Sequence, residues 1–378
     1  EAGVATRSRD GRTPAQQLED ITAAVRAMIK VQRDEFLNNI LPALAAEGVR
    51  ISSYAELTPE QRNIADDYYR RNLYSALTPL GVGPGHPFPF LSNQSLSLAV
   101  YLKLPGDESY HFARVKMPSN RPRFIRLGPD QCFIAIEELI AAHLVTLFPG
   151  ATVVESAPFL ITRDADVEQP EEDAANLANL ISEELRDRKF APVVRLVVNQ
   201  SASAAMREYL RRQLDLAERD VFVVEGLLKL ADTMSLVGQI DRPEMKFPAW
   251  APVPHPRLRM VENEDSNSRS MFSIMRDGPF LVHHPYQGFN TSVQRLLDEA
   301  ASDPRVVAIK QTVYRTGEDS PVIRALVRAA EQGKQVAVLV EIKARFDEAN
   351  NLRWVNELER AGCHVTYGLV GLKTCVSL

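Results

Sequence analysis

Two short stretches concentrate side chains able to handle an anion. IKQTVYRTGEDS places Lys310, Tyr314 and Arg315 just past an apolar run and just before a helix start signal. VEIKARFDEANN crowds Glu341, Lys343, Arg345, Asp347 and Glu348 at the exit of the next apolar run, and a third such exit carries Lys373. In open α/β sheets ligands gather at the carboxyl ends of strands, where helix N-termini expose unpaired N–H groups. Cations converging there suit a chain of phosphates, because a guanidinium presents a planar donor fork that matches phosphate oxygens and stays charged. Phosphoryl transfer depends above all on such positioning and charge neutralisation. The competing expectation is that Arg315 and Arg345 pair with Glu318, Asp347 or Glu348 on the surface. Spacing by itself leaves both open.

Other candidates carry less. His283 and His284 in FLVHHPYQGF are potential general bases, yet a histidine pair before a proline at an element end reads more readily as packing. Arg121, Arg123 and Arg126 have only Phe124 among them, so a solvated strand face is expected rather than a nucleic-acid site. No Gly-x-x-x-x-Gly-Lys-Ser/Thr loop and no Cys/His cluster at zinc spacing occurs, which removes the main support for P-loop and zinc enzymes.

The elements that must position these residues can be read from pattern. Thr13-Pro14-Ala15-Gln16 and Thr58-Pro59-Glu60-Gln61 are capping boxes that open helices. The first helix carries an apolar stripe from Leu18 through Ile21, Val25, Met28 and Ile29 to Phe36 that must pack on something. Leu96, Leu98, Val100, Leu102 and Leu104 alternate like a strand with one buried face, with neighbours over 110–117 and 123–127. Helices are predicted over 136–147, 174–188, 204–214 and 227–238, and strands over 153–162 and 193–198, an α+β pattern. Five prolines between Arg242 and Arg259 exclude regular structure and mark a domain boundary. Beyond them, apolar runs at 306–309 and 336–340 feed helical stretches at 321–331 and 352–361, which is the βαβαβ pattern of a parallel sheet.

Composition narrows the class. The chain has 378 residues, 45% hydrophobic and 25% charged, values of an ordinary globular protein of two or three domains. Forty-four basic against forty-nine acidic residues leave a net charge of -5, so any anion site must be local. Cys132, Cys363 and Cys375 are too few for a disulfide framework and point to a reducing compartment, the cytoplasm by default, with membrane association left open. No apolar run approaches the roughly 20 residues of a membrane helix, and the start EAGVATRSRDGR has no signal-peptide core. The absence of an initiating Met and the stop inside GLVGLKTCVSL read as a fragment.

Taken together, HHPYQGF, AIKQTVYRTGEDSPVI, GKQVAVLVEIKARFDEANN and AGCHVTYGLVGLKT resemble the catalytic-domain signature of the long, histidine-dependent polyphosphate kinases. The resemblance runs almost unbroken from Phe280 to Thr374, and LTPEQ and PHPRLR fit the family's head domain more loosely. It implies reversible transfer of the terminal phosphate of ATP to polyphosphate, with magnesium and a phosphohistidine intermediate, on two phospholipase-D-like halves. It also implies that Arg315 of the YR motif and Arg345 of the ARFDE motif occupy positions associated with magnesium and phosphate. A guanidinium cannot ligate a cation, so both are read as phosphate clamps, with Lys343 beside them. After GLKT the family has His-x-Lys where this chain has Cys375-Val376-Ser377, so Cys375 occupies the phosphohistidine position and no catalytic residue is retained.

The resulting expectation is a multidomain α/β and α+β protein. Residues 1–48 are read as the remnant of a helical N-terminal domain, 49–258 as the head domain, and 259–378 as an incomplete first catalytic domain with a phospholipase-D-like parallel sheet. The partners implied are ATP, ADP and polyphosphate with Mg2+, in a homo-oligomer, without specific nucleic acid and without a transmembrane segment. On this reading the chain is inactive alone. The alternative is a non-catalytic phosphate-binding or dimerisation module. A phospholipase-D-like hydrolase ranks last, because it would need the same missing His-x-Lys elements.

Overall fold

Both capping boxes form. Gln16 N–H donates to Thr13 Oγ1 at 3.3 Å, and Thr13 N–H to Gln16 Oε1 at 2.9 Å, at the start of α1 (Pro14–Glu35). Gln61 N–H donates to Thr58 Oγ1 at 3.2 Å at the start of α2 (Pro59–Tyr68), which runs on as a π turn over Tyr69–Leu73. Each cap satisfies orphan N–H groups that a helix start otherwise leaves exposed. The computed structural model describes residues 7–83, 85–165, 183, 185–259, 269–344, 346–368 and 374. The described residues within 1–166 and 188–245 form one unit, and those within 167–187 and 246–378 another. The helix predicted over 174–188 lies mostly outside the described residues.

The first unit contains two sheets. The smaller joins β1 (Arg50–Ile51), β5 (Phe124–Arg126) and β6 (Cys132–Ala135) in the order β1-β6-β5, and β6 leads directly into α3 (Ile136–Ala142). The larger comprises β2 (Pro79–Val82), β3 (Ser97–Lys103), β4 (Tyr110–Lys116), β7 (Thr152–Arg163), β8 (Val193–Asn199) and β9 (Val221–Val224), ordered β2-β4-β3-β7-β8-β9. Its pairs are antiparallel except β8 with β9.

Strand β3 departs from the one-face expectation, since every residue from Ser97 to Leu102 is buried. Leu98, Val100 and Leu102 join a core with Tyr69, Leu73, Leu139 and Ile140. Ala99 and Tyr101 join a second core with Phe112, Phe159 and the Met206 and Leu210 side chains of α4 (Ala204–Gln213). The intervening residues looked like a solvent face, but a small alanine and a tyrosine tolerate burial, and α4 covers them. The stripe on α1 also departs from expectation. Val25 and Ile29 pack on the first core, whereas Ile21 and Met28 remain more than half exposed, at 57% and 62%.

The second unit has the order of strands and helices that its pattern predicts, with different bounds. After α5 (Arg295–Ser302) come β10 (Ala308–Val313), α6 (Pro321–Glu331), β11 (Gln335–Val340), α7 (Glu348–Arg360) and β12 (His364–Tyr367). The strands lie in the order β10-β11-β12, all parallel, with Val313 beside Val340 and Val340 beside Tyr367. Ser320 caps α6 by accepting from Ile323 N–H at 3.4 Å, and Pro321 fixes the first helical φ. Ile323, Leu326, Val355 and Leu358 close over Val336, Val338 and Val340. Burying each such side chain stabilises the unit by about 1.5–3 kcal/mol relative to leaving it exposed. Among the described residues no helix is long and apolar enough to cross a membrane.

Candidate functional site

Parallel pairing brings the exits of β10 and β11 to one edge. The backbone N–H of Glu341, the first residue after β11, donates to Val313 O at 2.9 Å, so the two strands leave the sheet in step. Arg315 lies two residues past β10 and Lys343 three past β11. Arg315 is exposed and its guanidinium sits 5.0 Å from the Tyr314 ring centroid, while Lys343 is half-buried. The third exit joins the same edge: Gly368 N–H donates to Val340 O at 3.0 Å, and Thr374 N–H to Glu341 Oε2 at 2.8 Å.

A residue that pattern reading missed ties these loops together. Asn351, fully buried on α7, donates through Nδ2 to Tyr314 O at 2.8 Å and to Glu341 O at 2.9 Å. One amide therefore holds the backbone beside Arg315 and the backbone leading to Lys343. The turn past Arg315 is pinned as well, because Gly317 O accepts from Asn350 Nδ2 at 2.8 Å and from Trp354 Nε1 at 3.1 Å. The available signal was an asparagine pair immediately before the predicted helix, followed by the apolar Leu352 and Val355.

Arg345, Lys373 and Cys375 are outside the described residues. Lys310 is not past a strand: it sits inside β10, exposed and paired with Ala337, because the ladder continues through Gln311, Thr312 and Val313. His283 and His284 are exposed on a turn in which Gln287 N–H donates to His283 O at 2.8 Å, and the His284–Pro285 peptide is cis. His284 Nδ1 lies 2.9 Å from Gln287 O, and the His283 ring meets Tyr286 edge-on.

The expected solvated arginine face in the first unit holds for Arg121 and Arg126, which are exposed, and is corrected at Arg123. Arg123 is buried, with Nε 3.2 Å from Glu137 Oε1, NH1 2.9 Å from Lys229 O and NH1 3.3 Å from Asp232 Oδ2. A buried guanidinium needs this compensation, and two carboxylates with a carbonyl supply it. Arg121 donates instead to Asn72 O at 3.2 Å, and Arg126 to Pro129 O at 2.8 Å.

The strand exits carry Arg315 and Lys343 together with the carboxylates of Glu341, Asp347 and Glu348 and the Asn351 amide. Among the described residues no group of three or more His, Cys, Asp or Glu side chains could hold a metal. The described residues therefore do not cage a divalent ion, and no step through magnesium is derived from them.

Known proteins match along most of the chain. The model of the polyphosphate kinase N-terminal domain matches residues 1–52, that of the middle domain 60–236, and that of C-terminal domain 1 residues 270–378. The chain belongs to the polyphosphate kinase family. A polyphosphate kinase of Mycobacterium avium (strain 104) is 46% identical over 385 residues, covering 99% of this chain and 52% of the relative. That of Mycobacterium tuberculosis (strain ATCC 25618 / H37Rv) is 45% identical over 388 residues, covering 99% and 52%. The crystal structure of polyphosphate kinase from Porphyromonas gingivalis superposes with a TM-score of 0.73 at 27% identity, over 95% of this chain and 52% of that one. The chain spans about half the length of the polyphosphate kinases it matches. Its multidomain mixture of helices and sheets is thus an architecture seen in a solved polyphosphate kinase.

Proposed function

We propose that the second unit contributes to a site that moves the terminal phosphate of ATP reversibly onto polyphosphate. The observation that carries this reading is the pairing of β10 with β11, which delivers Arg315 and Lys343 from one sheet edge through loops tied by Asn351. In this reading the β10-β11-β12 layer is the phospholipase-D-like sheet. Arg315 and Arg345 clamp phosphate oxygens through their planar forks, and Lys343 adds a point charge. During transfer the bond from the terminal phosphorus to the ADP oxygen breaks, and a bond from phosphorus to the acceptor forms. Fixed cations stabilise the charge that shifts towards ADP without reorganising. Magnesium carried in with the nucleotide would add to the same charge neutralisation, and the residues given roles here are the cations alone.

Cys375 stands where the family resemblance puts the phospho-accepting imidazole, and Ser377 where it puts a lysine. We accordingly expect no turnover from this chain alone. The same reading assigns 1–48 to a helical N-terminal domain, 49–258 to a head domain and 259–378 to the first catalytic domain. It also expects a cytoplasmic homo-oligomer, and the buried free thiols of Cys132 and Cys363 support a reducing compartment.

A second reading, a non-catalytic polyphosphate-binding or dimerisation module, is favoured by cations retained at 315, 343 and 345 beside a cysteine at 375. Exchange of label between ADP and ATP, measured with polyphosphate and magnesium, separates the two. Exchange gained by a Cys375→His variant supports the kinase reading. Binding of long-chain polyphosphate that Arg315→Ala with Arg345→Ala weakens, without exchange in either form, supports the module. Robust synthesis by the unaltered chain would refute the role given to Cys375.

A further inference from the structure

We propose that the first unit carries a separate anion site, a groove that takes a bare chain of phosphates. It is a hollow of about 690 Å3, walled by the loop before β3, the loop between β4 and β5, and residues 229–235. That volume lies within the roughly 300–1,000 Å3 of small-ligand sites. All of its wall belongs to the first unit.

Charge is the first argument. Lys116, Arg121, Arg123 and Lys229 line the groove. Two of them are already neutralised: Arg123 by Glu137 and Asp232, and Lys229 by Asp232, whose Oδ1 lies 3.3 Å from Nζ. The other two are not. Lys116 Nζ donates to Ser92 Oγ at 3.3 Å and Arg121 Nε to Asn72 O at 3.2 Å, and among the described residues neither is paired with a carboxylate. A surplus of positive charge in a concave wall, on a chain whose net charge is -5, is a local attractor for a polyanion.

Backbone conformation is the second argument. Gln94 and Lys229, with φ of +53° and +54°, are two of the four described non-glycine residues in the left-handed region, and both line the groove. That conformation costs about 1–2 kcal/mol for a residue with a Cβ, and such strain gathers at ligand clamps.

The class of ligand follows from what the wall offers. Besides the cations it presents the hydroxyls of Ser92 and Ser119, that of Ser95 being given to Ser92 O at 2.9 Å, and no aromatic ring lines it on which a nucleobase could stack. A chain of phosphates uses such donors fully, whereas a nucleotide would leave its base without a partner. The inference does not depend on the reading of Arg315, which belongs to the other unit.

The test titrates the whole chain with inorganic tripolyphosphate by calorimetry at low ionic strength. Lys116→Ala with Arg121→Ala is expected to weaken one binding component roughly tenfold or more, because it removes two charge-assisted donors. Arg315→Ala with Lys343→Ala is expected to leave that component in place. Lysine acylation of the unaltered chain gives an independent readout that needs no substitution. Tripolyphosphate should protect Lys116 and Lys229 several-fold, and leave Lys103, outside the groove, reacting as before. Unchanged affinity in the Lys116/Arg121 variant, absence of protection, or equal protection by AMP would each overturn the proposal. Loss of all binding in the Arg315/Lys343 variant alone would overturn it while leaving the function proposed for the second unit intact.

Discussion

Asn351 and Tyr314 are 37 residues apart, yet the buried Asn351 amide donates to the Tyr314 carbonyl at 2.8 Å and fastens α7 to the exit of β10. The same Nδ2 serves Glu341 O at 2.9 Å. Removing it takes the donor from the part-buried Tyr314 O and leaves Glu341 O with Ala344 N–H at 3.3 Å, and a buried group left unsatisfied costs about 1–3 kcal/mol. Asn351→Ala is expected to destabilise the second unit by about 1–3 kcal/mol. Asn351→Asp should do no better, since it replaces the donor with a second acceptor. Both tryptophans, Trp250 and Trp354, belong to this unit, so urea unfolding followed by their fluorescence reads it directly. A midpoint that does not move would show that the two bonds are dispensable.

The Arg123–Glu137 pair in the first unit predicts an asymmetry between single and double substitutions. Both side chains are almost fully buried, at 8% and 6% exposure. Breaking a buried pair from one side leaves an uncompensated charge and costs about 3–5 kcal/mol, whereas apolar replacement of both partners is often close to neutral. Glu137→Leu leaves Arg123 with only Asp232 Oδ2 at 3.3 Å and Lys229 O, so the compensation is partial and the first unit should unfold at lower denaturant. Arg123→Leu with Glu137→Leu should recover much of the loss, although Lys229 O then loses a donor. Additive losses in a double-mutant cycle would contradict this account.

What the sequence made legible was set by how local each signal is. Caps at Thr13, Thr58 and Ser320 involve residues three apart and could be read directly. The apolar runs at β10 and β11 likewise announced a parallel sheet, and with it the positions, though not the roles, of Arg315 and Lys343. The strand end at Val313 was misjudged because Gln311 and Thr312 are polar. They nevertheless pair with Val338 and Leu339, and ladder bonds rather than side-chain polarity fix where a strand stops. Burial of Arg123 was invisible because its partners Glu137 and Asp232 stand 14 and 109 residues away. Ala99 and Tyr101 hid the second buried face of β3, since only the arrival of α4 decides it.

Gly226 gives a prediction in which two costs can be separated. Its φ is +75°, and a Cβ placed there would meet Leu37 Cδ2 at 3.0 Å. Its carbonyl also accepts from Asn199 Nδ2 at 2.7 Å, which resists any shift of the loop. Gly226→Ala should cost about 1–2 kcal/mol from backbone conformation alone, with crowding against Leu37 added. Leu37→Ala introduced beside it should relieve the crowding but not the conformational part. Thermal unfolding of the four combinations checks this, and full rescue by the Leu37 change would show that the left-handed φ costs nothing.

The turn that leads into β10 should respond to acid through Asp303. Its carboxylate accepts from Arg305 Nε at 3.0 Å, from NH2 at 2.7 Å and from Arg305 N–H at 2.9 Å. The Arg305 side chain is the largest cause, and together these bonds hold the pKa down to about 2, from an ordinary value of 3.8. A depressed aspartate pKa stabilises the folded state above the unfolded value and loses that contribution as pH falls through the folded one. The stabilisation is thus complete above pH 3.8 and disappears between there and about pH 2. The Arg305 side chain is 71% exposed, so salt should weaken the effect. An NMR titration of the Asp303 carboxyl carbon is expected to show a midpoint near 2, and Arg305→Ala should raise it towards 3.8, stopping short because the backbone N–H at 305 still donates. If the midpoint is the same with and without the guanidinium, the pair contributes nothing and the backbone bond alone orders this approach to β10.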